Sequence, residues 1–320
     1  MTLINEIVYT VGAFCCGYFM MNILVAILDG LCTFVGSRNL RNYGSWAIVT
    51  GSTDGIGKSI AKELAKQKIN LILISRSAEK LSSVAKEIAD KYNVEVKTTA
   101  IDMSQTSTAD YSIIHKTYAD LDIGIIVNNV GLSYDHPEYL DTLDTERMWK
   151  MIHMNVLPVT ALTKEFVGSM SSKKKGLVVN VGSMSGLFST PLLSVYSASK
   201  AYVHTFTDAL RQEYAEKNIH FQVICPMFVS TAMTGMRPSI SCPTPDAYAR
   251  SAVATFGKTN FTCGYWAHSL QTTIYGLVPK FIFESNQMKV LKRGRARFLP
   301  KTGAKEGVKI CDPVFCLTCL

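Results

Sequence analysis

The stretch 45-SWAIVTGSTDGIGKSIA-61 decides the fold. An apolar run, Trp46 to Thr50, passes directly into Gly51, Gly55 and Gly57, spaced G-x-x-x-G-x-G, and a helical pattern follows at once. A continuous apolar run of this kind suits a strand buried on both faces. Glycines at its end let the backbone turn sharply and let a phosphate approach the amides at a helix start. A bare glycine pattern carries little weight, but between a first strand and a helix it points to a nucleotide-binding turn. Gly51, Ser52, Thr53, Asp54, Gly55, Ile56 and Gly57 are the expected contacts.

Downstream the alternation repeats. Apolar runs predict strands at 70-NLILIS-75, 94-VEVKTTAI-101, 123-IGIIVNN-129, 176-GLVVNV-181 and 219-IHFQVIC-225. Helical patterns occupy 58–67, 78–92 and 199–215. The second shows Leu81, Val84, Ala85, Ile88 and Ala89 at i, i+3, i+4, i+7 and i+8, a single apolar stripe. Buried strands separated by helices predict an α/β fold, a doubly wound, Rossmann-like parallel sheet over 45–265. The second strand ends in Ser75 and Arg76, with Lys80 one turn on, where an acid would suit NAD. Positive charge there suits a 2′-phosphate, so NADPH/NADP+ is the expected cofactor.

The rest of the chain bounds the setting. Of 320 residues 48% are apolar and 18% charged, which excludes a disordered protein. The net charge of +8 is uneven: Lys280 to Lys309 holds nine Lys or Arg against Glu284 and Glu306. Such a basic run can meet nucleic acid, acidic lipid headgroups or nothing. The N-terminus favours lipid, and nucleic acid is not an expected partner. Ile7 to Leu28 carries no charge and reaches the roughly 20 residues of a bilayer span. The first charge is Glu6, not the basic start of a cleaved signal, and Arg38 with Arg41 predicts a cytosolic main domain. The expected division is therefore a membrane anchor at 1–40, a catalytic-type domain at 41–266 and an apolar, basic extension at 267–320. The odd count of nine cysteines offers no disulfide framework. Cys316 and Cys319 make a lone C-x-x-C without a second ligand pair, so no zinc is expected, and with Cys311 they read as an inert tail.

Within 180-NVGSMSGLFSTPLLSVYSASK-200, Ser183 is followed by Tyr196 and, four residues on, Lys200. Tyr196 and Lys200 share a helix face at this spacing. A phenol titrates near 10, and an adjacent ammonium together with an oxidised nicotinamide favours the phenolate. Reaching pH 7 takes a shift of about 3 units, or roughly 4 kcal/mol, within the range of active sites. Singly, Tyr196 could be a buried aromatic, Lys200 a solvated helix residue and Ser183 a turn former. His115, His136, His153, His204, His220 and Trp149 follow no pattern and read as core or surface, and no spacing suggests a metal.

Taken in order, TGSTDGIG (50–57), Asp102, NNVG (128–131), Asn155, Ser183 and YSASK (196–200) resemble the short-chain dehydrogenase/reductase family over about 45–265. The resemblance implies Asn155, Ser183, Tyr196 and Lys200 as a catalytic tetrad, with Ser183 and Tyr196 holding the substrate oxygen. It also implies Asp102 at the adenine, Asn129 lining the cofactor cleft, and Val229 with Thr231 at the nicotinamide amide. The anchor, 128-NNVGLSYDHPEY-139 and 225-CPMFVSTAM-233 are similar to a membrane-bound branch. Its members reduce very-long-chain 3-oxoacyl-CoA or interconvert 17β-hydroxysteroids. That branch implies a lipid substrate, the endoplasmic reticulum membrane, and leaves a homodimer open. The segment 227–245 should cover the substrate with apolar Met227, Phe228, Met233 and Met236. A second resemblance, carried by 264-GYWAHSLQ-271 and 197–202, is to hydroxysteroid dehydrogenase-like proteins, which are mitochondrial and called inactive because phenylalanine replaces the tyrosine. Tyr196 keeps its hydroxyl, and on that ground activity is expected.

Overall fold

The computed structural model describes residues 2–32 and 38–298. Cys311, Cys316, Cys319 and the basic residues after Arg297 lie outside the described residues. The central element is a seven-stranded sheet of order β3-β2-β1-β4-β5-β6-β7, with every pairing parallel. The strands are β1 (Trp46–Thr50), β2 (Asn70–Ser75), β3 (Val96–Ala100), β4 (Ile123–Asn128), β5 (Gly176–Val181), β6 (Ile219–Ile224) and β7 (Phe261–Thr262). Six stand where the apolar runs predicted them. β7 is only two residues long and pairs Phe261 and Thr262 with Val223 and Ile224, too short to leave a pattern.

β1, β4 and β5 are buried at every position, as expected of strands covered on both faces. On one face lie α2 (Gly55–Lys66), α3 (Ala78–Tyr92) and α7 (Pro245–Val253). They bring Ile60, Leu64, Leu81, Val84, Ile88 and Tyr248 into one core. On the other lie α4 (Thr108–Thr117) and α5 (Thr145–Lys173), whose Tyr111, Leu162, Phe166 and Met170 pack against Ile48, Ile72 and Ile126. Burying a side chain of this size contributes about 1.5–3 kcal/mol. α6 (Ser194–Glu213) packs beside α5 and β6. Strand order reverses between β1 and β4, and the crevice beyond the strand ends at such a point is where ligands bind in this architecture.

Outside the sheet are α1 (Thr2–Cys32), α8 (Trp266–Leu277) and α9 (Lys280–Phe298). Among the described residues α1 is the one helix long and apolar enough to cross a membrane, over Ile4–Val25, by length and composition. Its apolar side chains, among them Phe14, Tyr18 and Met20, are exposed, and it lies against α8.

Candidate active site

The site begins where β1 enters α2. Asp54 takes the N-cap of α2, its Oδ1 accepting from Gly55 N at 2.7 Å. A carbon added at Gly57 would lie 2.4 Å from both Gly51 O and Asn129 Nδ2, so only glycine fits this close approach. Asn129 holds the turn from the end of β4, donating through Nδ2 to Thr50 O at 2.9 Å and to Gly51 O at 3.2 Å. Thr53 Oγ1 and Ser75 Oγ are 3.0 Å apart, tying the turn to the end of β2. Among the described residues the fully buried Ser52 hydroxyl has no partner within the protein. The side chain of Thr231 lies against Gly55, and Val229 is buried beside it in the core. Ile56 packs on the same core.

At the far end of β2, Arg76 and Lys80 are exposed. Asp102, beyond β3, accepts from Ser104 N at 3.0 Å and Ser104 Oγ at 2.8 Å. Those two bonds, helped by the charge of Arg76, hold its carboxyl below the usual carboxylate value. Glycine-limited backbone, a helix N-terminus, an unsatisfied buried hydroxyl and a basic rim together fit a phosphorylated dinucleotide.

The Ser–Tyr–Lys cluster stands just beyond the end of β5 and on α6. Ser183 caps the short turn Met184–Gly186, accepting from Ser185 N at 3.2 Å. Met184 N donates to Pro226 O at 3.1 Å, so the serine loop hangs from the end of β6. Gly186 touches the backbone of α6: an added carbon would meet Lys200 C at 2.6 Å. This contact holds the serine loop against the helix that carries Tyr196. Lys200 Nζ donates to Val181 O at 2.9 Å and lies 5.9 Å over the Tyr196 ring. Asn155 pairs with Leu132 in both directions, accepting from its N at 2.7 Å and donating to its O at 2.9 Å, and also donates to Ser199 Oγ at 2.9 Å. The turn and the cluster meet at 129–131: a carbon on Gly131 would lie 3.4 Å from Lys200 Nζ and 3.2 Å from Asn155 Oδ1.

The protein's own groups set the electrostatics of this cluster. Burial pushes the Tyr196 hydroxyl above its ordinary 10, the bond from Ser183 offsets part of this, and Cys225 adds to it. Lys200 does not reverse the shift, because its amine is tied to Val181 O and lies over the ring rather than at the hydroxyl. Burial also lowers Lys200 itself, to about 8. Cys225 is fully buried beside Gly182, and burial pushes its thiol up. Proximity of the ammonium alone does not make the phenolate, in keeping with an expectation that joined Lys200 with an oxidised nicotinamide.

Several residues of the cleft walls escaped the sequence reading. His268 of α8 is fully buried, with Met227 N at 3.4 Å from Nδ1 and Ser241 O at 3.2 Å from Nε2, so it pins both ends of the loop 227–241. Burial lowers it to about 4, and it stays neutral. In that loop Met236 is buried, while Phe228 and Met233 are exposed. Glu138, in the loop between β4 and α5, accepts from Arg295 of α9. Both lie in stretches that carried a resemblance, 264–271 and 128–139, but no role attached to them there because their partners are far along the chain. Among the described residues no cluster of three or more His, Cys, Asp or Glu could hold a metal.

A doubly wound sheet with a glycine turn at its switch point and a Ser–Tyr–Lys cluster across the crevice defines a dinucleotide-type oxidoreductase. The short chain dehydrogenase profile matches residues 45–239, and the chain belongs to that family. Human very-long-chain 3-oxoacyl-CoA reductase is 40% identical over 300 residues, covering 92% of this chain and 96% of the relative. Human inactive hydroxysteroid dehydrogenase-like protein 1 is 41% identical over 256 residues, covering 78% and 77%. A solved 7β-hydroxysteroid dehydrogenase superposes with a TM-score of 0.70 at 22% identity, over 78% of this chain and 99% of that one, a likeness of fold.

Proposed function

We propose that the protein is an NADPH-dependent ketoreductase for lipid ketones, reducing a 3-oxoacyl-CoA to the 3-hydroxyacyl-CoA as in fatty-acid elongation, with 17-ketosteroids as the second substrate class. The observation that carries this reading is Tyr196, which keeps its hydroxyl on the first turn of α6, with Lys200 Nζ 5.9 Å over its ring. The similarity to very-long-chain 3-oxoacyl-CoA reductase across nearly the whole chain supports the acyl-CoA substrate.

Gly51, Gly55, Gly57 and Asn129 would hold the pyrophosphate end of the cofactor, Asp102 the adenine, and Arg76 with Lys80 the 2′-phosphate. Bound NADPH supplies the hydride. Ser183 orients the carbonyl oxygen, and Tyr196 gives that oxygen its proton. Lys200, its amine already lowered to about 8, replenishes the tyrosine, and Asn155 fixes the backbone beside it. The exposed Phe228 and Met233 present an apolar rim to a long acyl chain. Residues 1–40 anchor the domain 41–266 to the endoplasmic reticulum membrane, facing the cytosol, with 267–320 as an extension.

A second reading is a cofactor-binding protein without turnover, favoured by the similarity to the inactive hydroxysteroid dehydrogenase-like protein. Purified protein in detergent, given NADPH and a long-chain 3-oxoacyl-CoA, separates the two. Oxidation of NADPH is expected, falling by about 10²–10⁴ in Tyr196→Phe with NADPH binding retained. Tight NADPH binding with no turnover on acyl-CoA or steroid panels would leave the second reading.

A further inference from the structure

α6, the helix that carries Tyr196, begins without a local cap. Its N-cap residue is Leu193, which makes no side-chain cap bond. Leu192 just before it holds φ at 58°, the left-handed region that residues with a Cβ avoid. Such a conformation persists only where the surroundings over-determine it. Here the loop between β4 and α5 does so from two points. Glu138 N donates to Leu192 O at 2.8 Å, and Tyr134 Oη accepts from Val195 N at 3.3 Å, closing the open first turn.

Glu138 is itself gripped. Its carboxylate accepts from Arg295 Nε at 2.6 Å, from Tyr139 N at 2.8 Å and from Thr142 Oγ1 at 2.8 Å. The ion pair is largely sheltered, with side chains 11% and 26% exposed. Arg295 also lies 5.3 Å over the Tyr139 ring, and His136 stacks on Phe298 with centroids 4.0 Å apart. The same helix reaches the other side of the serine loop, where Ser189 Oγ donates to Glu284 at 2.6 Å and Phe188 meets Phe283. All of α9 lies beyond the stretch matched by the family profile.

We propose that Arg295 and Glu138 are positioning residues for Tyr196: Arg295 fixes Glu138, whose amide holds Leu192 and so sets where α6 and its tyrosine stand over the site. A surface ion pair of purely structural value would be worth little and would not reach one helix turn selectively. The assignment rests on the proposed reductase reading for its kinetic consequence, but not for its structural one.

Hydrogen exchange and kinetics on the full-length protein in detergent test it, with Arg295→Ala and Arg295→Lys. In Arg295→Ala the amides of Glu138 and Val195 should exchange about tenfold faster or more, while those of 51–57 keep their rates. With NADPH and a long-chain 3-oxoacyl-CoA, kcat should fall about tenfold with NADPH affinity unchanged, as expected of a displaced proton donor. Arg295→Lys should recover most of both. Unchanged exchange at Val195 overturns the proposal, as does a kcat loss that only tracks lost NADPH affinity, or a lysine that restores nothing. If the unaltered protein turns over no ketone, the reductase reading fails, and the exchange experiment still decides the positioning role.

Discussion

The glycine turn and the start of α6 flank 129–131, yet they are built in opposite ways. The turn is built from motif residues: Asp54 caps the next residue, and Asn129 of the NNVG stretch holds Thr50 and Gly51 from the end of β4. The start of α6 is assembled from a distance, with Tyr134 61 residues from Val195 and Arg295 157 residues from Glu138. The lesson concerns which errors each end tolerates. The turn fails through residues of its own motifs, whereas the start of α6 fails also through Arg295, which lies beyond the stretch matched by the family profile.

Three experiments sharpen this contrast. Gly57→Ala should have the largest effect, because the new carbon meets Gly51 O and Asn129 Nδ2 at 2.4 Å. It should destabilise the fold by about 3 kcal/mol and abolish NADPH binding, read by urea unfolding and cofactor fluorescence. Lys200 tests the other end through pH. Its folded value is depressed from 10.5 to about 8, so the protonated form is disfavoured in the fold. That penalty is complete below about pH 8 and lifts as pH rises toward 10.5. Stability should therefore gain on the order of 1–3 kcal/mol across this window relative to Lys200→Met, which lacks the titration. A parallel pH profile for the two proteins would contradict a buried, titrating amine. The smallest effect is expected at Arg76→Asp, which should weaken NADPH by about tenfold more than NADH; equal losses would remove Arg76 from the phosphate contact.

How much of this was legible follows the same division. The strands of the sheet could be read because β1, β4 and β5 are buried on both faces and must be apolar throughout. The glycine turn could be read because backbone geometry there excludes any side chain. α3 matched its pattern from Ala78 to Tyr92, bounded by the Ser77 cap and the left-handed Asn93. α6 begins at Ser194, so Tyr196 and Lys200 share a helix as their spacing implied, but its start left no signal because Leu193 makes no cap bond and Tyr134 supplies the missing partner. α4 went unread although Ser107 and Asp110 form a capping box, a signal that was present in the sequence. The upward shift of Tyr196 could not be read, because spacing places Lys200 on the same face without fixing where its amine bonds.

Cys225 gives the cluster a built-in clock. Thiolate is the form that reacts with alkylating reagents, and at this position burial both blocks access and suppresses ionisation. Alkylation of Cys225 can therefore proceed only while the floor beneath Ser183 and Lys200 is open to solvent. At saturating reagent, where alkylation outpaces reclosing, labelling resolved at Cys225 would follow the rate of those openings, with no substrate or cofactor required.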